Sequence, residues 1–402
     1  MTGQLSSKTI EIVKATVPAL EAHGLKITRA MYARLFENEE IRSLFNQSHH
    51  GETGSQPKAL AGAILAYARN IDNLGILGAA VERIAQKHVG LQILSEHYPY
   101  VADALLRAIE DVLGDAATND VLAAWGEAYW FLADLLIARE TVLYDEIAAT
   151  PGGWTGWREF CVEEKTPDSE IITSFILRPV DGGPVMAHRP GQYLTFWIEI
   201  PGQEPQKRNY SISAAPNGET YRISVKREPQ GIVSGWLHEH AGTGTILKVS
   251  APAGEFYLPE QPTRPVVLLS GGVGLTPMIS MFEALAEQPS QVPVHYVHGA
   301  LDGSVHAMGE RVRRLAERSG SNATVFYERP RSEDREGENY DAAGRISTEW
   351  LTENTPIREA DYFICGPKPF LRTFINGLAQ AGVAQDRIHY EYFGPADELM
   401  SV

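Results

Sequence analysis

The chain has 402 residues, a length too great for one ordinary hydrophobic core, which predicts two or three domains. Hydrophobic residues make up 44% and charged residues 21%, as is normal for a soluble globular protein. The formal net charge is −16 and the sequence pI is near 5.2. Because phosphates would be repelled, this balance argues against nucleic acid or an anionic membrane surface as the main partner.

Only two cysteines occur, Cys161 and Cys365, so neither a disulfide framework nor a cysteine-based metal site is predicted. The N-terminal residues contain no apolar core of the kind that a secretory signal requires. No apolar run is expected to approach the roughly 20 residues that span a bilayer. These features predict a cytoplasmic protein without stable membrane association.

The first part of the chain has helical periodicity without strand patterns, which predicts an all-α domain over residues 1–150. Ser6 or Ser7 is placed to cap a first helix. The apolar face of that helix comprises Ile10, Val13, Val17 and Leu20. The later predicted helices are Ile27 to Phe36, Ala59 to Leu74, Val81 to His88, Tyr98 to Leu113 and Val121 to Ile147.

After a Pro-Gly-Gly link, short strand-like patterns separated by turn residues predict a small antiparallel β-barrel over residues 151–263. Its clearest strands are Ile171 to Leu177, Gln192 to Glu199 and Tyr221 to Val225, and a short helix is predicted around Val233 to His240. Over residues 264–402, apolar strands alternate with helical stretches, which predicts an α/β domain with a parallel sheet. These strands are centred on positions 266–269, 294–297, 324–327 and 362–365.

The segment Arg208–Ser213 reads R-N-Y-S-I-S and lies where a barrel strand is expected. It resembles the R-x-Y-S-x-S segment that binds FAD in the ferredoxin-reductase-like superfamily. The resemblance implies that Arg208 contacts a phosphate, that Tyr210 packs on the isoalloxazine ring and that Ser211 hydrogen-bonds the flavin's polar edge. Tyr193, in the upstream R-P-G-Q-Y segment, would contact the same flavin.

Lys226 ends the next predicted strand, and Gly231, Val233 and Ser234 open the helix that follows. By the same resemblance, backbone N–H groups at this helix N-terminus would bind the pyrophosphate of FAD. Each segment alone is more often plain surface structure. Their order, inside a barrel and ahead of an α/β domain, favours a flavin site.

A glycine-rich turn follows the first predicted strand of the α/β domain and would let the backbone approach a dinucleotide closely. It comprises Gly271, Gly272, Gly274, Thr276 and Pro277. A later strand ends at Cys365, Gly366 and Pro367, a turn that the superfamily places beside the nicotinamide. Cys365 is interpreted as a small neighbour of the hydride path and not as a nucleophile.

The terminal E-Y-F-G-P segment contains Glu391 and Phe393 and is typical of the same group of proteins. The resemblance implies that these residues contact the flavin, with Phe393 covering the ring until nicotinamide displaces it. The alternative is that Phe393 is merely buried at the end of the chain.

The helical region contains a series of residues in the order of a bacterial globin. They are Tyr32, Phe45, Gln56, Leu60, His88, Tyr98 and Glu140. A lone histidine at a helix end is usually structural. Here, however, the series closely resembles the flavohaemoglobin family, and the resemblance covers essentially the whole chain with motifs in both halves.

In that family the residue corresponding to His88 is the proximal ligand of the haem iron, and Tyr98 and Glu140 support it. A carboxylate that accepts the imidazole's other N–H gives the ring more anionic character and pushes electron density to iron. The alternative for Glu140 is an exposed acid at a helix end, paired with Arg139.

On the distal side, the resemblance implies that Tyr32 hydrogen-bonds iron-bound oxygen and that Gln56 assists it. Leu60 would crowd the haem pocket, and Phe45 would pack against the porphyrin. The neighbouring pair His49–His50 offers alternative distal groups.

The implied protein is a nitric oxide dioxygenase that converts nitric oxide and oxygen to nitrate, with haem b, FAD and NAD(P)H as cofactors. NADH is favoured over NADPH because Asp302, in the turn after the second sheet strand, would repel a 2′-phosphate and no arginine is near it in sequence. The resemblance also allows a lipid in the distal haem pocket. A monomer is expected.

Two other hypotheses stay open at this point. In one, the haem is incidental and the flavin reduces ferric iron, quinones or oxygen directly. In the other, the globin is a non-enzymatic binder of oxygen or lipid, and the flavin domain merely keeps its haem ferrous.

Overall fold

The computed structural model describes residues 4–45, 55–73, 75, 78–287 and 292–394. The chain divides into two compact units, each described here by itself. In the described residues, the first unit comprises positions up to 149 together with Pro205–Lys207. The second comprises Thr150–Glu204 and Arg208–Gly394.

Up to Ala149, the described elements of the first unit are all helical. Its helices are α1 Ser7–Ala15, α2 Val17–Leu35, α3 Glu39–Ser43, α4 Ser55–Arg69, α5 Gly78–Leu91, α6 Tyr98–Leu113 and α7 Asn119–Ala149. Their apolar faces meet in one core, which includes Val13, Ile27, Ile109 and Trp125. This arrangement confirms the predicted globin fold class.

The N-terminal helix is shorter than its apolar pattern predicts. Ser6 caps α1, its side chain accepting a hydrogen bond from the Thr9 N–H. The helix then ends at Ala15, and Thr16 separates it from α2, which has a proline in its first turn. Because proline lacks an N–H, it suits the start of a new helix better than the interior of a continuous one.

Helix α7 has 31 residues and is long and apolar enough, by length and composition alone, to cross a membrane. The expectation that no such segment exists is therefore wrong on that criterion. The residues Ala124, Trp125 and Ala128 of α7 nevertheless pack in the globin core, and Glu140 lies buried on the same helix.

The second unit begins with a six-stranded sheet whose strands are ordered β4-β3-β6-β1-β2-β5, except that Gln206 and Lys207 of β4 group with the first unit. The strands are β1 Arg158–Pro167, β2 Ile172–Pro179, β3 Tyr193–Ile198, β4 Gln206–Ser211, β5 Tyr221–Lys226 and β6 Ile246–Val249, with helix α8 Ile232–Glu239 after β5. The pairs β1–β2, β1–β6, β2–β5 and β3–β6 are antiparallel. An antiparallel bridge from Ile212 to Ile223 joins the two edges, which closes the sheet into the predicted barrel.

A second six-stranded sheet follows, and all its pairs are parallel. Its strands are β7 Val266–Gly271, β8 Val294–Ala300, β9 Asn322–Tyr327, β10 Ala342–Ala343, β11 Asp361–Cys365 and β12 Ile388–Glu391. The intervening helices are α9 Leu275–Glu287, α10 Gly309–Ser319, α11 Thr348–Asn354 and α12 Lys368–Gln380.

The strand order of this sheet is β10-β9-β8-β7-β11-β12. From β7 the chain runs outward through β8, β9 and β10, and then returns to the other side of β7 as β11 and β12. The direction in which successive strands are added to the sheet thus reverses between β7 and β11. In an open α/β sheet, the crevice at the carboxyl ends of two such strands is where a ligand binds.

Candidate functional site

The helices of the first unit bring together a histidine, a tyrosine and a carboxylate that are far apart in sequence. His88 Nδ1 lies 2.7 Å from Glu140 Oε1, and the Tyr98 hydroxyl donates to the same oxygen at 2.6 Å. Tyr98 Oη is also 3.1 Å from His88 Nδ1. Glu140 is 3% exposed. Arg139 bonds Glu82 at 2.6 Å, so the alternative in which Glu140 is an exposed partner of Arg139 is not observed.

This geometry determines which imidazole nitrogen carries the proton. Burial, and then the neighbouring Glu140, raise the pKa of Tyr98 far above its ordinary value, so its hydroxyl stays protonated. An ionised Glu140 carboxylate can only accept, so the Nδ1 of His88 donates to it. In the neutral imidazole tautomer the lone pair then lies on Nε2, to which no described residue makes a hydrogen bond.

The aromatic side chains Tyr32, Phe36 and Phe45 form a second cluster in the first unit. Each pair of rings is 5.6 Å apart between centroids. Leu60 is half-buried against the same core. Burial raises the pKa of Tyr32, so its hydroxyl remains a hydrogen-bond donor at ordinary pH.

Gln56 lies at the second position of α4, and its Oε1 is buried without a hydrogen-bond partner among the described residues. A buried unsatisfied acceptor costs free energy, so it points to a missing partner. The pair His49–His50 lies outside the described residues. Phe36 was missed in the sequence, although its spacing of four from Tyr32 on one helix would place the two together.

These features fit a haem group. Within the described residues, no three His, Cys, Asp or Glu side chains cluster as they would around a chelated metal ion. A histidine whose Nε2 has no described hydrogen-bond partner, in the same unit as an aromatic cluster and an unsatisfied amide oxygen, suits a porphyrin-held iron with one axial protein ligand.

In the barrel, the first four residues of the predicted flavin segment, Arg208–Ser211, lie in strand β4. Arg208 and Tyr210 share one face of β4, and Tyr210 packs on Phe196 with ring centroids 5.6 Å apart. Ser211 points to the opposite face and is 7% exposed. Its predicted hydrogen bond to the flavin's edge stays a prediction.

Tyr193 begins β3, and its hydroxyl is buried without a hydrogen-bond partner among the described residues. A Cβ at Gly254 would lie 2.9 Å from the Tyr193 ring, and Gly254 has φ +114°. Any side chain at position 254 would therefore displace the Tyr193 ring. The unsatisfied Tyr193 hydroxyl fits a flavin whose polar atoms would supply its missing hydrogen bond. Gly254 was missed in the sequence because a lone glycine in a barrel gives no specific signal.

Lys226 ends β5 and bonds Glu228 at 2.8 Å. Gly231 caps α8, and the Ser234 hydroxyl accepts from the Glu228 N–H at 3.1 Å. Val233 is 2% exposed and its side chain packs in the barrel core, and its predicted contact with the flavin stays a prediction. The first N–H groups of α8 are thus presented at an N-terminus without a side-chain cap, as the pyrophosphate prediction requires.

The crevice between β7 and β11 is lined by the two predicted glycine turns. A Cβ at Gly274 would lie 2.2 Å from the Cys365 carbonyl oxygen, and one at Gly366 would lie 2.8 Å from Phe370. The two turns therefore meet backbone to backbone. Thr276 Oγ1 donates to the Val273 carbonyl at 3.1 Å and stabilises the first turn.

The other members of this region lie close by. Gly271 ends β7, Gly272 opens the short 3₁₀ turn that follows, Pro277 lies in the first turn of α9, and Pro367 caps α12. Phe370, whose ring packs on both Gly271 and Gly366, was missed in the sequence.

Cys365 is fully buried, and that burial, together with the charge of Glu391, raises the pKa of its thiol well above the ordinary value. A protonated, inaccessible thiol is a poor nucleophile, in agreement with its predicted passive part. Glu391 pairs with Cys365 in the parallel ladder. Phe393 is 50% exposed, so the alternative of a buried chain-end ring is not observed.

The turn after β8 removes one argument for the predicted preference for NADH, which itself stays a prediction. Asp302 accepts hydrogen bonds from the N–H and hydroxyl of Ser304, at 2.9 and 2.6 Å, and lies 3.4 Å from Arg331 Nε. An arginine distant in sequence thus folds against this carboxylate and compensates its charge. Asp302 therefore gives no basis for excluding a 2′-phosphate.

Comparison with known proteins agrees with this architecture. The globin family profile matches residues 28–136, and that of the oxidoreductase NAD-binding domain matches residues 268–375. A flavohemoprotein of Xylella fastidiosa (strain 9a5c) is 53% identical over 403 residues, covering 100% of both chains. One from Rhizobium meliloti (strain 1021) is 45% identical and covers 97% of this chain and 98% of its own.

Two solved structures extend the comparison. The crystal structure of flavohemoglobin from Malassezia yamatoensis, with bound FAD and heme, has a TM-score of 0.87 at 26% identity and covers 98% of this chain and 100% of its own. The FAD/NAD binding domain of nitric oxide dioxygenase from Vibrio cholerae O1 biovar El Tor has a TM-score of 0.54 at 37% identity, covering 59% of this chain and 99% of its own.

The fold and its sites define a haem globin joined to a flavin- and nicotinamide-dependent oxidoreductase module. The chain belongs to the flavohaemoglobin family.

Proposed function

We propose that the chain is a nitric oxide dioxygenase, which uses NAD(P)H to convert nitric oxide and oxygen to nitrate. The observation that carries this proposal is the hydrogen-bonded group of His88, Tyr98 and Glu140. A globin that only stores oxygen has no need for a buried carboxylate on its histidine, whereas repeated redox turnover benefits from an electron-rich ligand.

The cofactors supply the redox chemistry: FAD takes electrons from NAD(P)H, and haem, when bound, holds the iron at which nitric oxide and oxygen combine. The residues of this chain bind and orient these cofactors. Nε2 of His88 would hold the iron, while Glu140 and Tyr98 keep the proton on Nδ1. This arrangement fixes the ring's orientation and increases the basicity of Nε2.

On the opposite side, we assign Tyr32 as the donor that would hydrogen-bond the oxygen substrate, with Gln56 beside it. The neutral hydroxyl of Tyr32 and the unsatisfied Oε1 of Gln56 support this assignment. Phe45 and Leu60 would exclude water from the pocket. A dry, polar-tipped pocket strengthens each hydrogen bond that the substrate accepts.

In the second unit we assign flavin binding to the segments around Tyr193, Arg208–Ser211, Lys226, Gly231–Ser234 and Glu391–Phe393. Nicotinamide binding is assigned to the glycine turn 271–277 and to Cys365–Pro367. The contact between these two turns at the reversal of strand order supports the second assignment.

The domain boundaries proposed are 1–150 for the globin, 151–263 for the flavin-binding barrel and 264–402 for the nicotinamide-binding domain. The change from helices to strands after Ala149 supports the first boundary. The change from antiparallel to parallel strands between Val249 and Val266 supports the second.

We further propose that the chain has no nucleic acid partner, which its net charge of −16 supports. The apolar rings of Phe36 and Phe45 would accommodate a lipid in the distal pocket. A monomeric, cytoplasmic protein stays a prediction, which size-exclusion chromatography and cell fractionation would check.

The function is tested with protein that has been loaded anaerobically with haem and FAD and is then mixed with NADH, oxygen and nitric oxide. Nitric oxide consumption, NADH oxidation and nitrate formation are measured. We expect rapid nitric oxide loss, with one NADH oxidised for every two nitrate ions formed. A His88→Ala variant should lose this activity together with its haem. Fast NADH oxidation with nitric oxide left unconsumed would contradict the proposal.

A further inference from the structure

Helix α9 links the nicotinamide turn to the flavin-binding segments of the barrel. Its first residue, Leu275, directly follows the glycine turn 272–274. About five residues and 7.5 Å further along the helix, its side chains contact the barrel. Ser280 donates to the Ala214 carbonyl at 2.7 Å, and Glu283 accepts from the Ala215 N–H at 3.0 Å.

These two contacts hold the end of the flavin segment. Ala214 and Ala215 directly follow Ser213, the last residue of the R-x-Y-S-x-S motif. The Ala214 carbonyl also accepts from His188 Nε2 at 2.9 Å, and His188 precedes the segment that leads to Tyr193. The middle of α9 therefore contacts both chain segments expected to carry the flavin ring.

A third contact shows how closely the barrel packs against α9. A Cβ at Gly191 would lie 2.5 Å from the terminal methyl of Met281 and 2.5 Å from the Phe256 carbonyl oxygen. Gly191 has φ +111°, so a side chain there would be both strained and obstructed. The barrel segment thus rests directly on α9 with no room to shift towards it.

Glu283 is the charged centre of this contact. It is 4% exposed, and its Oε1 accepts from Arg222 NH2 at 2.7 Å and from the Nε of Arg311. Arg222 belongs to β5 of the barrel and Arg311 to α10. One buried carboxylate therefore accepts donors from three separate elements.

A buried ion pair of this kind adds little net stability over apolar packing, because desolvation offsets the attraction between the charges. Its distinctive effect is directional, since each oxygen must meet its donors within hydrogen-bonding distance. A slide of α9 along the barrel would leave a buried charge unpaired. The contact therefore permits one register of the nicotinamide turn relative to the flavin segments.

We propose that Glu283 is a positioning residue for hydride transfer: acting through α9, it sets the distance between the bound nicotinamide and the flavin. This inference rests on the proposed function for the identity of the two cofactors. It assigns no contact between Glu283 and either of them. Ser280 supports the same register through the Ala214 carbonyl.

The test is the half-reaction in which NADH reduces the FAD of the full-length holoprotein, followed anaerobically by loss of oxidised-flavin absorbance. In Glu283→Gln we expect the limiting rate to fall about 10- to 100-fold, since a misplacement near 1 Å has that effect. FAD content and the NADH concentration at half-saturation should change less than about threefold. With 4-deuterated NADH, the kinetic isotope effect should increase as hydride transfer becomes more fully rate-limiting.

Glu310→Gln on α10 is the matched control, because that carboxylate is 91% exposed and bonds only its helix neighbour Arg314 among the described residues. Its limiting rate should equal that of the wild type. A lower melting temperature for Glu283→Gln, with an unchanged limiting rate and isotope effect, would overturn the proposal in favour of a purely structural part.

If Glu283→Gln does not fold, Ser280→Ala removes a single hydrogen bond and leaves the carboxylate in place. A fall of about fivefold in the limiting rate is then expected. An unchanged rate in that variant would overturn the proposal. Because this half-reaction contains no nitric oxide, its result is independent of whether the dioxygenase proposal stands.

Discussion

At the scale of single residues, hydrogen bonds around His88 determine which of its ring nitrogens carries the proton. The tautomer of His88 follows from two neighbours, because Tyr98 is held protonated and Glu140 can only accept. All three residues lie on different helices. A change of one atom in this group should alter the haem's chemistry without displacing the haem.

We predict that Glu140→Gln lowers nitric oxide turnover about 10- to 100-fold, the usual range for a residue that supports a metal ligand. The amide would give His88 less anionic character, so the haem reduction potential should rise and the iron–histidine stretching frequency should fall. Potentiometry and resonance Raman spectroscopy measure these quantities. Glu146→Gln is the control, since that carboxylate is 61% exposed at the end of the same helix. Equal Raman frequencies in the two variants would exclude the assigned part of Glu140.

We predict that Tyr32→Phe releases oxygen from the ferrous protein about 10- to 100-fold faster, because a hydrogen bond to a partly charged acceptor is lost. Burial raises the pKa of Tyr32, so the wild-type dissociation rate should show no transition from tyrosine ionisation up to pH 9. Stopped-flow displacement of oxygen measures both. Tyr100→Phe, at a tyrosine that is 49% exposed, serves as control. An unchanged rate in Tyr32→Phe would contradict the distal assignment.

At the scale of elements, much of the fold could be predicted from periodicity and punctuation. Helix α6 is observed over Tyr98–Leu113 as predicted, and α8 differs from its prediction by one residue at each end. Both have clear apolar faces and clear end signals. The predicted helix from Ala59 to Leu74 instead ends at Arg69, where the Asn70 side chain bonds the Ala66 carbonyl and a turn follows.

The site was predictable only where local residue order carries information. The motif Arg208–Ser213 and the glycine turn are contiguous, so resemblance was enough to find them. Gly254, Phe370 and Glu283 each contact at least one partner more than 60 residues away, as Gly254 does with Tyr193, and nothing in their local sequence indicates this. Arg331 is a second example. It approaches Asp302 from a distant part of the sequence, so the charge argument for NADH, which considered only the sequence neighbours of Asp302, fails.

The glycine turn after β7 gives a prediction at this scale. Gly274→Ala would place a methyl group 2.2 Å from the Cys365 carbonyl oxygen and push the two turns apart. We expect the limiting rate of flavin reduction by NADH to fall at least about tenfold, while haem content is unchanged. Gly242→Ala is the control, because nothing lies within 4 Å of its new Cβ. Normal NADH reduction in Gly274→Ala would mean that the nicotinamide binds elsewhere.

At the scale of the whole molecule, the globin and the oxidoreductase module form separate compact units. Burial lowers the pKa of His188 and of His306 to about 4, and both belong to the second unit. Between pH 6.5 and 4 the unfolded chain binds more protons than the folded one. The free energy of unfolding therefore falls as pH falls through this window.

We predict that this loss reaches about 2 kcal/mol per histidine by pH 5. Thermal unfolding of the second unit, followed by the fluorescence of released FAD, should show a lower midpoint at pH 5 than at pH 7. His306→Gln should reduce this difference. His240→Gln should leave it unchanged, because that ring is 63% exposed. A pH difference as large in His306→Gln as in the wild type would show that other groups cause it.

The proposed dioxygenase reaction uses groups of both units, and labelled oxygen tests it most directly. Holoprotein supplied with NADH, nitric oxide and ¹⁸O₂ should form nitrate that carries both atoms of the oxygen molecule. Replacing His88 with alanine should abolish the labelled product, while NADH reduction of the flavin continues. Unlabelled nitrate, or NADH oxidation that yields only reduced oxygen species, would contradict the account and leave a flavin reductase with a globin of another purpose.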